Sequence, residues 1–221
     1  MKKITILNLF MCALLFCADT MFILEGELII KSIASLIFVV IGFVNLIYMT
    51  KVKRIRRLSA YLLFLGLCFA CLGDIILERE FIVGGILFAV GHIFYFLSYC
   101  KVISFRWKDL IFGFTLFVVS ICVIFLLPIF KDLEMIIKIL CSSYALVISL
   151  MVGKAISNAF RRASQLNIIL LIASMLFFIS DLTLLFNVFG QGDSALTVIC
   201  LLTYYPREFL LAFSILKMNK N

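Results

Sequence analysis

This chain has a single histidine and only two prolines in 221 residues, and just 14% of its residues are Asp, Glu, Lys or Arg. One histidine rules out the three-histidine zinc centres that some membrane hydrolases use. There is no GxSxG elbow, and the serines near the intramembrane carboxylates have no evident histidine or lysine partner, which disfavours serine hydrolysis. Two prolines, no low-complexity stretch and no linker beyond about a dozen residues favour one integral membrane domain over residues 1–221. Scarce charge with 65% hydrophobic residues excludes an ordinary soluble domain.

What the chain does have is apolar sequence in long runs. A helix needs roughly 20 apolar residues to cross about 30 Å of hydrocarbon, and such runs recur along the whole length. They predict an all-α fold, a polytopic bundle of eight transmembrane helices over about 4–23, 32–50, 58–77, 81–100, 110–130, 133–153, 166–189 and 195–216. MKK followed by an apolar run resembles a signal peptide. The run ends in FCADTMF without a small-x-small site, however, and seven further spans follow, so an uncleaved first helix is expected. Cys12, Cys17, Cys68, Cys71, Cys100, Cys122, Cys141 and Cys200 all lie within or at the ends of spans, as small buried residues rather than a disulfide framework. Cys68 and Cys71 form a CxxC, but a lipid-buried helix is a poor place for a thiolate.

A net charge of +8 raises nucleic acid as a partner, yet the placement of the charge speaks for orientation in a bilayer instead. Fifteen of the 20 Lys and Arg fall at the two termini and in alternate loops, KVKRIRR (Lys51 to Arg57) foremost. The intervening loops, EGELIIK, ERE, KDLE and GQGD, carry most of the acids. The positive-inside rule then puts both termini in the cytoplasm, which needs an even number of spans, as counted. The expected location is the plasma membrane of a bacterial cell, with no nucleic acid bound. Asp74 lies 17 residues beyond Arg57 and Asp181 lies 19 beyond Arg162. Both therefore sit roughly 25 to 29 Å above the inner basic residues, at about 1.5 Å per residue. Matching depth, four helices apart, suggests a weak four-plus-four repeat, 1–108 and 109–221, with the carboxylates meeting near its axis.

A charged group in the bilayer core costs about 2.5 to 3.5 kcal/mol on insertion scales and usually faces protein or a wet cavity. Asp74, His92, Asp181 and the Arg207, Glu208 pair are such groups, with Asp19, Lys31 and Lys138 nearer the outer ends. Gly84, Phe88, His92 and Tyr95 share one helix face, and the glycine permits close helix approach. His92 is there either as an interhelical hydrogen bonder or as part of a site. TYYPREF places Pro206 inside the eighth helix, where it removes a donor and favours a kink or wet pocket. Arg207 and Glu208 either neutralise each other, pair with Asp181, or function; Tyr204, Tyr205 and Glu208 span just over one turn and suit the lining of one cavity. His92 is 12 residues past Glu80, roughly 18 Å down its helix, so Asp74 is expected at a cavity mouth, His92 near the floor and Asp181 on the opposite wall. Two carboxylates with histidine and tyrosine are adequate for general acid/base chemistry without a metal or other cofactor.

GDIIL at 73–77, GxxxFxxxHxxY at 84–95, SDLTL at 180–184 and YYPREF at 204–209 form an ordered set that resembles the YhhN-type lysoplasmalogenase family over nearly the whole chain. The chain departs from the family pattern at Lys31-Ser32, where a Lys-Pro is frequent, and at Glu208, where a Gln is frequent. The resemblance implies a membrane enzyme that hydrolyses the vinyl ether bond of a lysoplasmalogen, a lysophospholipid taken from among membrane lipids, to a fatty aldehyde and a glycerophospho-alcohol. It implies Asp74 and Asp181 as acid and base, in either order, with His92, Tyr95, Tyr204, Tyr205 and Glu208 binding or positioning and Lys31 attracting the phosphate at the outer rim. Such chemistry needs an acid to protonate the outer vinyl carbon and a carboxylate to orient water. The rival reading, from another class, is a transporter or channel whose carboxylates bind a cation or relay protons.

Overall fold

A computed structural model describes residues 2–52, 57–190, 192 and 194–218. The centre of KVKRIRR (53–56), Gln191 and Asp193 of GQGD, and Lys220 lie outside the described residues. Eight α-helices follow one another: α1 (Lys2–Glu25), α2 (Leu28–Val52), α3 (Arg57–Leu77), α4 (Phe81–Val102), α5 (Asp109–Leu126), α6 (Met135–Arg161), α7 (Gln165–Phe189) and α8 (Ser194–Ser214), with short 3₁₀ turns at Pro128–Phe130 and Ile215–Lys217. All eight are long and apolar enough to cross a membrane, and the chain is an integral membrane protein. Large apolar side chains such as Leu24, Ile29, Phe114 and Ile136 stay exposed on the bundle, as lipid contact requires.

Local chemistry explains where helices stop. Gly26, at φ 71°, makes the turn between α1 and α2, a left-handed backbone that glycine adopts without a Cβ clash. α5 ends at Leu126 instead of running to residue 130 as the hydropathy predicts. Leu127 precedes Pro128 and takes extended angles, φ −74° and ψ 132°, because the proline ring disfavours helical geometry before it. Ser164 caps α7, its side chain accepting from the Asn167 amide at 3.3 Å. Two further boundaries differ from the sequence expectation. α2 begins at Leu28, so Lys31 lies within it, and α6 continues past residue 153 to Arg161. Lys154, expected in a basic loop, is instead a fully buried helical residue whose Nζ lies 2.5 Å from Asp109 Oδ2. An ion pair supplied by the neighbouring helix lets a lysine stay inside.

Consecutive helices pair as hairpins, α3 with α4, α5 with α6 and α7 with α8. α8 touches α1, α2, α3 and α7 and is the most buried helix; α1 and α5 are the least. Glycines let the hairpins close. A Cβ on Gly66 of α3 would run into the Tyr95 ring of α4 and stand 3.1 Å from the Gly91 carbonyl oxygen, and Gly113 and Gly153 meet backbone to backbone between α5 and α6. Pro206 sits inside α8, which continues across it. Replacing Gly66 by Val should destabilise the bundle by about 1–3 kcal/mol through overpacking against Tyr95, read as a lowered unfolding temperature in detergent.

Candidate active site

α8 sends charged and aromatic side chains to two sides, and two polar groups form there. The first lies between α4, α6, α7 and α8. Arg207, fully buried, has its guanidinium carbon 2.9 Å from the Phe177 ring centre and 4.2 Å from that of Tyr204. Its Nη1 donates to Asp181 Oδ1 at 3.1 Å and to the Phe177 carbonyl at 3.3 Å. Its Nε faces Glu208 Oε1 at 3.6 Å. The other Asp181 oxygen accepts a hydrogen bond from the Tyr144 hydroxyl of α6. Glu208 Oε2 accepts from Tyr95 at 3.0 Å. Such a cluster stands in a low-dielectric interior, where one guanidinium facing two carboxylates leaves room for a single neutralising proton.

His92 completes this group. Its Nδ1 lies 2.5 Å from the Phe88 carbonyl, which can only accept, so Nδ1 carries a proton. That leaves Nε2, buried and without a hydrogen-bond partner among the described residues, 3.9 Å from Asp181 Oδ2. Three rings hold the imidazole: Phe177 at 4.2 Å, Tyr144 at 5.5 Å and Tyr95 at 6.2 Å between centroids. Ser180 ties α7 to α8 by donating to the Cys200 carbonyl at 3.1 Å, which fixes the turn that presents Asp181.

The second group lies between α2, α3 and α8. Asp74, 3% exposed, accepts from Ser35 and from the Tyr205 hydroxyl at 3.3 Å. Lys31 Nζ is 3.5 Å from Asp74 Oδ1 and 2.5 Å from Glu78 Oε1. Lys31 is 5% exposed, so its ammonium is held by two carboxylates rather than standing free at a rim. The two groups adjoin at α8, where the Tyr204 and Tyr205 rings meet edge to face at 4.9 Å.

A cavity of about 310 Å³ opens beside the first group, bounded by α4, α5, α6 and α7, with Leu77 at the end of α3. Its walls are Ile, Val, Leu, Phe and Ala with Gly85 and Cys141, broken by Asp181, Tyr144 and two serines. The expected arrangement of one cavity with Asp74 and Asp181 on opposite walls differs from this: Asp181 lines the cavity and Asp74 does not. The reason is rotational. Asp74 shares the depth but faces α2 and α8, while the cavity lies across α4. Asp181, His92, Tyr95 and Glu208 are brought together, with Tyr204 stacked on Arg207; Asp74, Lys31 and Tyr205 form the other group. Tyr144 and Ser35, which complete the two carboxylates' hydrogen bonding, escape sequence reasoning, because a neutral hydroxyl in an apolar helix carries no charge that marks it. The only available cue for Tyr144 is its place in SSY, a polar triplet in mid-helix. Among the described residues, no three His, Cys, Asp or Glu side chains converge to hold a metal ion.

The model of the YhhN family matches residues 26–215, from the turn before α2 to the end of α8. The chain belongs to the YhhN family. No curated protein and no solved structure matches it. In this YhhN protein both polar groups and every wall of the cavity fall inside the matched region, whereas the whole of α1, with the buried Asp19, precedes it. Arg207→Leu should cost about 3–5 kcal/mol, since it leaves Asp181 and Glu208 buried beside no cation; loss of the folded fraction in size-exclusion chromatography of the purified protein checks this.

Proposed function

We propose that this YhhN-family protein is a lysoplasmalogenase-type hydrolase, cleaving the vinyl ether bond of a lysophospholipid. The observation that carries the reading is one carboxylate, Asp181, fixed by Arg207 and Tyr144 at the wall of an otherwise apolar cavity between membrane-spanning helices. An apolar wall suits an alkenyl chain, and a carboxylate there meets the bond at the head of that chain. The single proton that neutralises the Arg207, Asp181 and Glu208 cluster passes through Asp181 to the outer vinyl carbon, and the ether oxygen shares the resulting positive charge as an oxocarbenium ion. The carboxylate so formed, held by Arg207 and Tyr144, stabilises that cation and takes a proton from the water that attacks it. The hemiacetal then collapses to a fatty aldehyde and the glycerophospho-alcohol, with water's atoms divided between the two products. His92, with Nε2 directed toward Asp181 at 3.9 Å, exchanges protons with it. Tyr95, through Glu208, and Tyr204, stacked on Arg207, position the charged group. Asp74 and Lys31 act at a distance, through Tyr205 and the setting of α8.

Aldehyde release from lysoplasmalogen by the detergent-purified protein tests the assignment. Asp181→Asn should lower kcat on the order of 10²- to 10⁴-fold, the range general acid/base groups contribute. Asp74→Asn should lower it less and raise KM more, as expected of a residue that works through another. Full turnover in Asp181→Asn would remove that residue from the reaction. Absence of aldehyde from the unmodified chain, together with cation uptake into vesicles, would favour transport instead.

A further inference from the structure

The only tryptophan of the chain stands where α4 passes into α5, next to the end of α6. Trp107 is 69% exposed and Phe160 is 79% exposed, and Phe160 stacks on Phe112 with the rings 5.7 Å apart and 9° from parallel. Arg106, Lys108 and Arg162 are exposed beside them. Residues 101–112 and 153–167 together contain one acid, Asp109. It is turned inward, 4% exposed, with Lys154 and Ser157 each at 2.5 Å and the Arg106 amide at 2.8 Å. Every charge left on this surface is therefore positive.

The surface is also fixed in shape. Arg161 donates to the Ser104 carbonyl at 2.8 Å and Lys154 to the same oxygen at 3.3 Å, while Asn158 holds the Tyr99 carbonyl at 3.0 Å. These bonds tie the segment after α4 to the last turns of α6. Aromatic rings at a helix end sit at the level of lipid headgroups, and fixed cations at that level attract anionic lipid. Rings for the upper acyl chain and cations for phosphate oxygens are the complement of an anionic phospholipid, and no exposed acid is present there to repel it.

We propose that the Arg106–Lys108 segment and the Phe160–Arg162 end of α6 form a binding surface for anionic phospholipid, selected over zwitterionic lipid from the surrounding bilayer. The surface lies apart from the Asp181 cavity and is independent of the chemistry proposed there.

Because Trp107 is the sole tryptophan, its emission reports on this surface directly. The full chain is reconstituted into phosphatidylcholine vesicles containing a minor fraction of phosphatidylglycerol, with bromine on the chains of either lipid at equal mole fraction. Brominated phosphatidylglycerol should quench Trp107 at least about threefold more per mole than brominated phosphatidylcholine, and the excess should shrink as salt is raised. In the Arg106→Gln, Lys108→Gln, Arg162→Gln variant the excess should vanish while quenching by brominated phosphatidylcholine stays at the wild-type level. The salt titration of the unmodified chain reads the same attraction without any substitution. Equal quenching by the two lipids, an excess indifferent to salt, or an excess that survives in the triple variant would overturn the proposal.

Discussion

A guanidinium buried between two aromatic rings is the interaction on which the rest of this molecule depends. Arg207 lies over Phe177 and under Tyr204, reaches Asp181 with one end and faces Glu208 with another. Taking an arginine and two carboxylates out of water is costly unless each is matched, and the matching here comes from four helices. α8 supplies Arg207 and Glu208, α7 supplies Asp181 and Phe177, α4 supplies Tyr95 and His92, and α6 supplies Tyr144. Each of these charges is costly in the bilayer without the others. The polar group therefore specifies how four otherwise greasy helices are rotated against one another, in a medium where apolar contact alone discriminates poorly between lipid and protein.

The same constraint accounts for the division of labour along α8. Tyr204 and Tyr205 are consecutive, so they leave the helix about 100° apart. One stacks on the arginine and the other donates to Asp74 on the α2, α3 side. The asymmetry between the two aspartates follows: Asp181 is bordered by a cavity, whereas Asp74 is enclosed by serine, tyrosine and lysine. Small residues make such closeness possible, with Gly66 and Gly91 bringing α3 against α4. The Tyr95 hydroxyl thereby reaches Glu208.

Eight helices were legible in the sequence because bilayer thickness sets a minimum apolar length, a constraint each span meets by itself. The ends were less so. α6 outran its apolar run because Asp109, on a different helix, neutralises Lys154, and α5 fell short because one proline acts on the residue before it. His92, Asp181, Arg207 and Glu208 stood out from their surroundings because each is an ionisable group in hydrocarbon. Tyr144 and Ser35 did not, since neither is charged; Ser35 also meets its own helix backbone at the Lys31 carbonyl, while the Tyr144 hydroxyl takes its partner from α7.

The sequence by itself determined the fold class and the family, because hydrophobic length is a local property of a single helix and the ordered motifs are read along one chain. Only the tertiary structure decided which polar residues face each other. Asp74 and Asp181 match in depth along their helices, yet direction around a helix axis is set by its neighbours, and the neighbours put one carboxylate at a cavity and the other against a lysine.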